Sequence, residues 1–284
     1  MRIIPRLDIK GPNLVKGIHL EGLRVLGKPE IFANYYYLQG ADELIYMDVV
    51  ASLYQRNSIL PLISRTAREV FIPLTVGGGL RDLTDIQMAL RAGADKVSLN
   101  TAAISDPNLI TAASERFGSS TITISIEAKK TDAGSYEAYT DNGREPTGVD
   151  AIEWAYTAAK LGAGELIVTS IDREGTGRGY DLELLRQVAT LVDIPVIACG
   201  GAGNIGHVRD VIVEGMADAV AMSSVLHYGA IENQLFDNNL YEEGNTEYLQ
   251  SQRKFSKVES FSLESIKDIL SNDGITVRPI NNFG

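Results

Sequence analysis

Ile72-Pro73-Leu74-Thr75-Val76-Gly77-Gly78-Gly79 and Ile194-Pro195-Val196-Ile197-Ala198-Cys199-Gly200-Gly201 carry one pattern at two places in the chain. Each is a short apolar run opened by Ile-Pro and stopped by glycines, which reads as a buried strand entering a tight loop. The two copies lie about 120 residues apart, and their surroundings repeat with them. Gly40-Ala41-Asp42-Glu43-Leu44-Ile45 matches Gly162-Ala163-Gly164-Glu165-Leu166-Ile167. Asp8-Ile9-Lys10 matches Glu127-Ala128-Lys129, and Asn100-Thr101 matches Ser223-Ser224. Several matches at one offset indicate an internal duplication.

Working outward, strands are expected at Arg2–Leu7, Glu43–Met47, Pro73–Val76, Asp95–Leu99, Ile122–Ile126, Glu165–Thr169, Pro195–Ala198 and Asp218–Met222. Strand starts at 2, 43, 73 and 95 are 41, 30 and 22 residues apart; starts at 122, 165, 195 and 218 are 43, 30 and 23 apart. Helix-period stretches lie between them: Pro29–Leu38, Gln55–Val70, Leu83–Arg91, Pro107–Phe117, Asp150–Leu161, Leu182–Leu191 and Ile205–Glu214. A last helix, Leu263–Leu270, has Ser262 as its N-cap. Eight strands alternating with eight helices predict an α/β chain folded as a (β/α)8 TIM barrel, with a doubly wound sheet as the alternative. The expected organisation is a single domain over 1–284, with half-barrels of about 1–120 and 121–284. A surface insertion of about 229–261 carries a short helix at Thr246–Arg253.

The 284 residues include 26 Lys+Arg against 37 Asp+Glu, a formal net charge of −11. Hydrophobic residues at 44% and charged residues at 22% exclude a disordered chain. The acid excess argues against nucleic-acid and membrane-surface binding, which reward basic patches. No apolar run reaches membrane-spanning length, and the N-terminus lacks a signal-peptide core, so a cytoplasmic protein is expected. Cys199 is the one cysteine, so no internal disulfide forms, and a packed residue is a better reading than a nucleophile. His19, His207 and His227 lack metal-ligand spacing, so neither a metal nor a cofactor is expected.

The repeated loops carry the candidate chemistry. Glycine lets backbone N–H groups approach an oxyanion, and hydroxyl and amide side chains add donors. In a barrel the loops after strands three and four would pair into one phosphate cup, and those after strands seven and eight into a second. Two cups across one mouth imply a substrate with a phosphate at each end. Asp8 and Glu127 end opposed strands between the cups, where two carboxylates can divide acid and base work. Asp48, Asp172, Thr169 and Lys16 are supporting candidates around the same mouth. Arg2, Glu43, Lys96 and Glu165 start strands at the other end. They read either as a structural plug or as a gate for a small polar molecule.

With these residues in place, the chain resembles the HisF family, the cyclase subunit of imidazole glycerol phosphate synthase. The likeness rests on Arg2-Ile3-Ile4 through Leu7-Asp8, Thr75-Val76-Gly77-Gly78-Gly79, Gly93-Ala94-Asp95-Lys96-Val97-Ser98 and Asn100-Thr101-Ala102-Ala103. Thr169-Ser170-Ile171-Asp172-Arg173 and Gly200-Gly201-Ala202-Gly203 continue it. It covers nearly all of residues 1–228 and resumes around 262–278. The resemblance implies a HisH-like glutaminase subunit docked at the barrel floor, sending ammonia through the barrel. There it meets a bisphosphorylated ribulosyl aminoimidazole-carboxamide nucleotide (PRFAR), giving imidazole glycerol phosphate and an aminoimidazole carboxamide ribotide (AICAR) in histidine biosynthesis. It puts the catalytic carboxylates at Asp8 and Glu127. Phosphate binding falls on Gly79, Asn100 and Thr101 and on Gly201, Ser223 and Ser224. The ammonia gate falls on Arg2, Glu43, Lys96 and Glu165.

Some residues depart from the family pattern. Glu127 stands where the family has aspartate, a displacement of roughly 1 Å that can cost on the order of 10²-fold in rate. Glu174 also replaces an aspartate, the loop Lys16-Gly17-Ile18-His19-Leu20 differs, and about 30 residues between Tyr228 and Ser262 are extra. These departures resemble HisF-like paralogues that deliver ammonia for acetamidino modification of a surface-polysaccharide sugar. That is the alternative function, with weak or no cyclase activity.

Overall fold

The computed structural model describes residues 1–51, 59–232 and 258–280. Eight parallel strands close on themselves: β1 (Arg2–Lys10), β4 (Leu44–Asp48), β5 (Leu74–Gly77), β6 (Lys96–Leu99), β7 (Ile122–Lys130), β10 (Glu165–Ser170), β11 (Val196–Cys199) and β12 (Ala219–Met222). The pairings β7–β10 and β12–β1 complete the ring, so the sheet is a (β/α)8 barrel and not an open, doubly wound one. The strands are buried on both faces, because helices cover one side and the barrel interior the other.

Equivalent backbone bonds recur in the two halves of the barrel. Leu44 N donates to Pro73 O, and Leu166 N to Pro195 O. Leu74 N donates to the Asp95 carboxylate and Val196 N to that of Asp218, each at 2.9 Å. Two hairpins repeat as well, and the sequence reading lacks both. β2 (Asn13–Ile18) and β3 (Glu21–Gly27) fold antiparallel onto the end of β1, pairing Asp8 with Val15. β8 (Tyr136–Thr140) and β9 (Glu145–Asp150) do the same on β7, pairing Glu127 with Tyr139. β1 and β7 therefore overrun the rim by several residues, with a carboxylate where each leaves the barrel.

The helices fall close to expectation. Asp82, Asp150, Asp181, Asn204 and Ser262 each accept N–H bonds at a helix start, as short oxygen-bearing caps do. The helix Leu60–Thr66 stops before the expected Val70, with Glu69 N and Val70 N turning back to Thr66 O. Pro73 forces Ile72 out of the helical region, so the chain must unwind before β5. Residues 55–58 of that expected helix, and the whole Thr246–Arg253 helix, lie outside the described residues. Among the described residues, the α-helices Thr101–Ser105 and Ser224–Glu232 were not foreseen, each starting directly from its strand end.

The main apolar layer lies between sheet and helices. A second, smaller one fills the barrel with Ile4, Ile45, Met47, Ile167, Ile197 and Ala219. It separates a charged floor from a charged mouth.

Candidate functional site

Side chains alternate along a strand, so Arg2, Ile4, Arg6 and Asp8 of β1 share the inner face. At the floor Arg2 donates to Glu43 (2.7 Å) and Glu165 (2.5 Å), and Lys96 donates to the same two carboxylates at 3.0 and 3.1 Å. The four candidate gate residues thus form one closed ring of balanced charge around the barrel axis.

At the mouth, Asp8 and Glu127 end strands four places apart in an eight-strand ring, hence on opposite walls. Both are buried, and their surroundings differ. Burial alone would push Asp8 up, but the charges of Arg6 and Lys16 outweigh it and hold Asp8 below the ordinary aspartate value. Arg6 Nε lies 2.8 Å from Asp8 Oδ1, and Lys16 Nζ lies 3.8 Å from Oδ2. Glu127 has no cation in contact among the described residues. Burial pushes it up to about 7, with Arg6 and the Gly143 N–H pulling the other way. Its Oε2 accepts from Asn100 Nδ2 at 3.1 Å and from Gly143 N at 2.8 Å. The site therefore holds one permanent carboxylate and one whose proton is exchangeable near neutrality.

Gly79, Asn100, Thr101, Asp48 and Glu127 line one cavity of about 400 Å³. Gly78 has φ +93°, and an added Cβ there would lie 2.1 Å from Asp48 O, so only glycine lets the loop pass this close. The second set is shaped differently. Gly201, Ser223 and Ser224 edge a recess of only about 20 Å³. The Ser223 hydroxyl is already engaged with Arg6 O at 2.8 Å. An added Cβ on Gly201 would meet the Gly179 carbonyl at 2.2 Å, so its backbone packs against a loop. Ser224 also borders a cavity of about 300 Å³ with Lys16, Arg24, Gly175 and Tyr228. The two expected cups are thus one open cavity and one largely filled recess beside another opening.

Lys16 is buried and paired with Glu174. The tip of the β2–β3 hairpin is latched across the mouth: His19 N donates to Glu174 O, and Asn142 Nδ2 to Leu20 O. Thr169 lies inside the barrel and accepts from Arg6 Nη1 at 3.2 Å. Asp172 lies apart from the pair, accepting from Lys130 N and facing an outer groove with Arg173, Arg178 and His207. Cys199 is buried, and burial pushes its thiol up, consistent with a packed residue. His227 is buried and pushed down to about 3, so its ring stays neutral beside Tyr36.

Arg6 and the Asn142-Gly143 turn are absent from the sequence-based set. Strand alternation alone places Arg6 on the inner face with Asp8. The turn gives no such signal, since its approach to Glu127 depends on the β8–β9 hairpin. Among the described residues no cluster of three His, Cys, Asp or Glu could hold a metal, and no helix is long and apolar enough to cross a membrane.

Residues 2–232 match the protein family described as histidine biosynthesis protein. A Legionella pneumophila protein named imidazole glycerol phosphate synthase subunit HisF is 58% identical over 205 residues, 72% of this chain and 97% of that protein. Proteins of the same name from Thermosynechococcus vestitus (50% identical over 235 residues, 81% of this chain and 84% of that protein) and Myxococcus xanthus (48% over 245 residues, 84% and 96%) are also similar to it.

Proposed function

The chain belongs to the HisF family of histidine biosynthesis proteins, and on that premise we propose that it is an ammonia-dependent cyclase/lyase. It converts PRFAR to imidazole glycerol phosphate and AICAR, working as a subunit with a glutaminase. The observation that carries this reading is the pair Asp8 and Glu127, buried on opposite walls of one mouth with opposite protonation preferences.

Ammonia must lose a proton as it bonds to carbon, and a leaving nitrogen must gain one. Asp8, held as an anion, suits the accepting role. Glu127, poised near 7, suits donation and return. The open cavity at Gly79, Asn100 and Thr101 supports one phosphate position, and the opening bordered by Ser224, Lys16 and Arg24 supports the other. On this acidic chain such positions rely on local cations, hydroxyls and backbone N–H groups.

The floor ring supports a gate, since only a small molecule could pass four mutually bonded side chains. Leu38, Phe71, Leu191, Val213 and Met216 are large, exposed and placed at helix ends or just before strands, on the floor side. That apolar collar supports docking of the glutaminase there. Glu127 and the filled recess at Gly201 and Ser223 favour the second reading, ammonia delivery for sugar amidination, because both alter the cyclase mouth and leave the floor intact.

Turnover of PRFAR with ammonium salt tests the choice. Cyclase activity that falls at least 100-fold in Asp8→Asn and Glu127→Gln is expected. No turnover by the wild type, with none restored in Glu127→Asp, would overturn the cyclase reading. Binding of a glutaminase under those conditions would then leave the delivery reading.

A further inference from the structure

Arg6 is 1% exposed, and an arginine that deep is rare unless paired. Its guanidinium is held from three strands at once. Nε donates to Asp8 of β1 at 2.8 Å, while Nη1 reaches Thr169 of β10 at 3.2 Å and Cys199 of β11 at 3.3 Å. Nη2 is buried with no partner among the described residues, so the fork grips Asp8 through one nitrogen only. Asp8 Oδ1 is thereby committed, while Oδ2 has Lys16 Nζ at 3.8 Å, beyond hydrogen-bond reach.

We propose that Arg6 is a positioning residue that fixes Asp8 as an oriented anion with only Oδ2 free for substrate. The inference rests on the reading of Asp8 and Glu127 as the working carboxylates.

The surrounding charges support it. Asp8 faces Arg6 from its own strand, Lys16 from β2 and the neutral His227 ring from the helix Ser224–Glu232. Arg6 also acts on Cys199 of β11, Glu174 after β10 and Glu127 of β7. Glu127 in turn meets Arg6, Asp8 and Asp141 of the β8–β9 turn. Arg6 and Lys16 balance Asp8 and Glu174, so an ionised Glu127 would be the uncompensated charge of this buried group. A guanidinium does not give up its proton in proteins, so Arg6 orients without exchanging.

The test is a ¹³C NMR titration of the full chain labelled at Asp and Glu side-chain carboxyls, in wild type, Arg6→Met and Arg6→Lys. Asp8 is assigned by its loss in Asp8→Asn. In the wild type one Glu should titrate near pH 7, and Asp8 should stay ionised above pH 5. Arg6→Met should raise the Asp8 titration by about 1–3 pH units, the usual effect of an adjacent cation. It should also add a second limb to the pH–rate profile. Arg6→Lys should keep Asp8 ionised yet lower kcat, because one ammonium cannot reach Asp8, Thr169 and Cys199 together. Wild-type Asp8 titrating above pH 5, or an unmoved Asp8 in folded Arg6→Met, would overturn the proposal. If Arg6→Met does not fold, the wild-type and Arg6→Lys titrations decide. The titration needs no substrate, so a chain that titrates as expected without turning over PRFAR refutes the activity and leaves the role of Arg6 standing.

Discussion

Replacing Glu127 with Gln should stabilise the protein at alkaline pH, by an amount the site itself sets. Burial pushes the Glu127 carboxyl from 4.5 up to about 7, despite the opposing pull of Arg6 and the Gly143 N–H. That gap of about 2.5 units, at about 1.4 kcal/mol per unit, is worth roughly 3 kcal/mol. A carboxyl whose folded pKa is raised contributes stability that is fully present below its unfolded value near 4.5. The contribution is lost as pH rises through about 7. Gln stays neutral throughout and keeps an oxygen for Asn100 and Gly143. The variant should therefore match the wild type near pH 4.5, gain on it steadily, and level off roughly 3 kcal/mol ahead above pH 7. At about 2 °C per kcal/mol for a chain of this size, that is roughly 6 °C at pH 8. Parallel urea and thermal melts from pH 5 to 8.5 measure the difference, and subtraction removes every group the two proteins share. A difference that does not change with pH would refute the reasoning.

Other perturbations have equally definite signs. Asn100→Ala removes a donor to the Glu127 carboxylate, so the alkaline limb of the pH–rate profile, set by loss of the Glu127 proton, should move up by about one unit, the worth of one hydrogen bond to a charge; an unmoved limb contradicts the assignment. Lys96→Met leaves Glu43 and Glu165 with Arg2 alone. It should cost about 2 kcal/mol in urea unfolding, less than the ~3–5 of a fully buried pair because both acids keep one partner. Gly78→Ala would drive its Cβ into Asp48 O; it should cost about 1–3 kcal/mol and raise the KM for PRFAR, and unchanged melts would show that the loop has room to yield.

The barrel was legible because its strands are buried on both faces and read as apolar runs, and because the duplication gave each run a second copy. The hairpins were not. Asn13–Gly27 and Tyr136–Asp150 mix glycine and charge, with Pro146 in the second, and they are strands only because β1 and β7 extend beyond the rim to pair with them. The floor ring followed from four charged residues at strand starts, since such positions converge on the axis. Arg6 was missed for the opposite reason: a lone arginine inside an apolar run carries no sign of what it faces across a barrel. The filled second recess was equally hidden, because Gly200-Gly201 looks the same whether its loop cradles an anion or packs on the Gly179 carbonyl.

The two halves carry matching motifs, and a body made of identical halves would have no preferred direction of its own. A ligand with unlike ends could lie in it either way round. Heading comes from what differs between the halves: an open cavity against a filled recess, and paired positions such as Arg6 against Ser125, Asp8 against Glu127, Asp48 against Ser170, and Asn100 against Ser223. Such differences would act as a compass for the substrate. Exchanging the members of a pair would test which of them tells the substrate where to point its head.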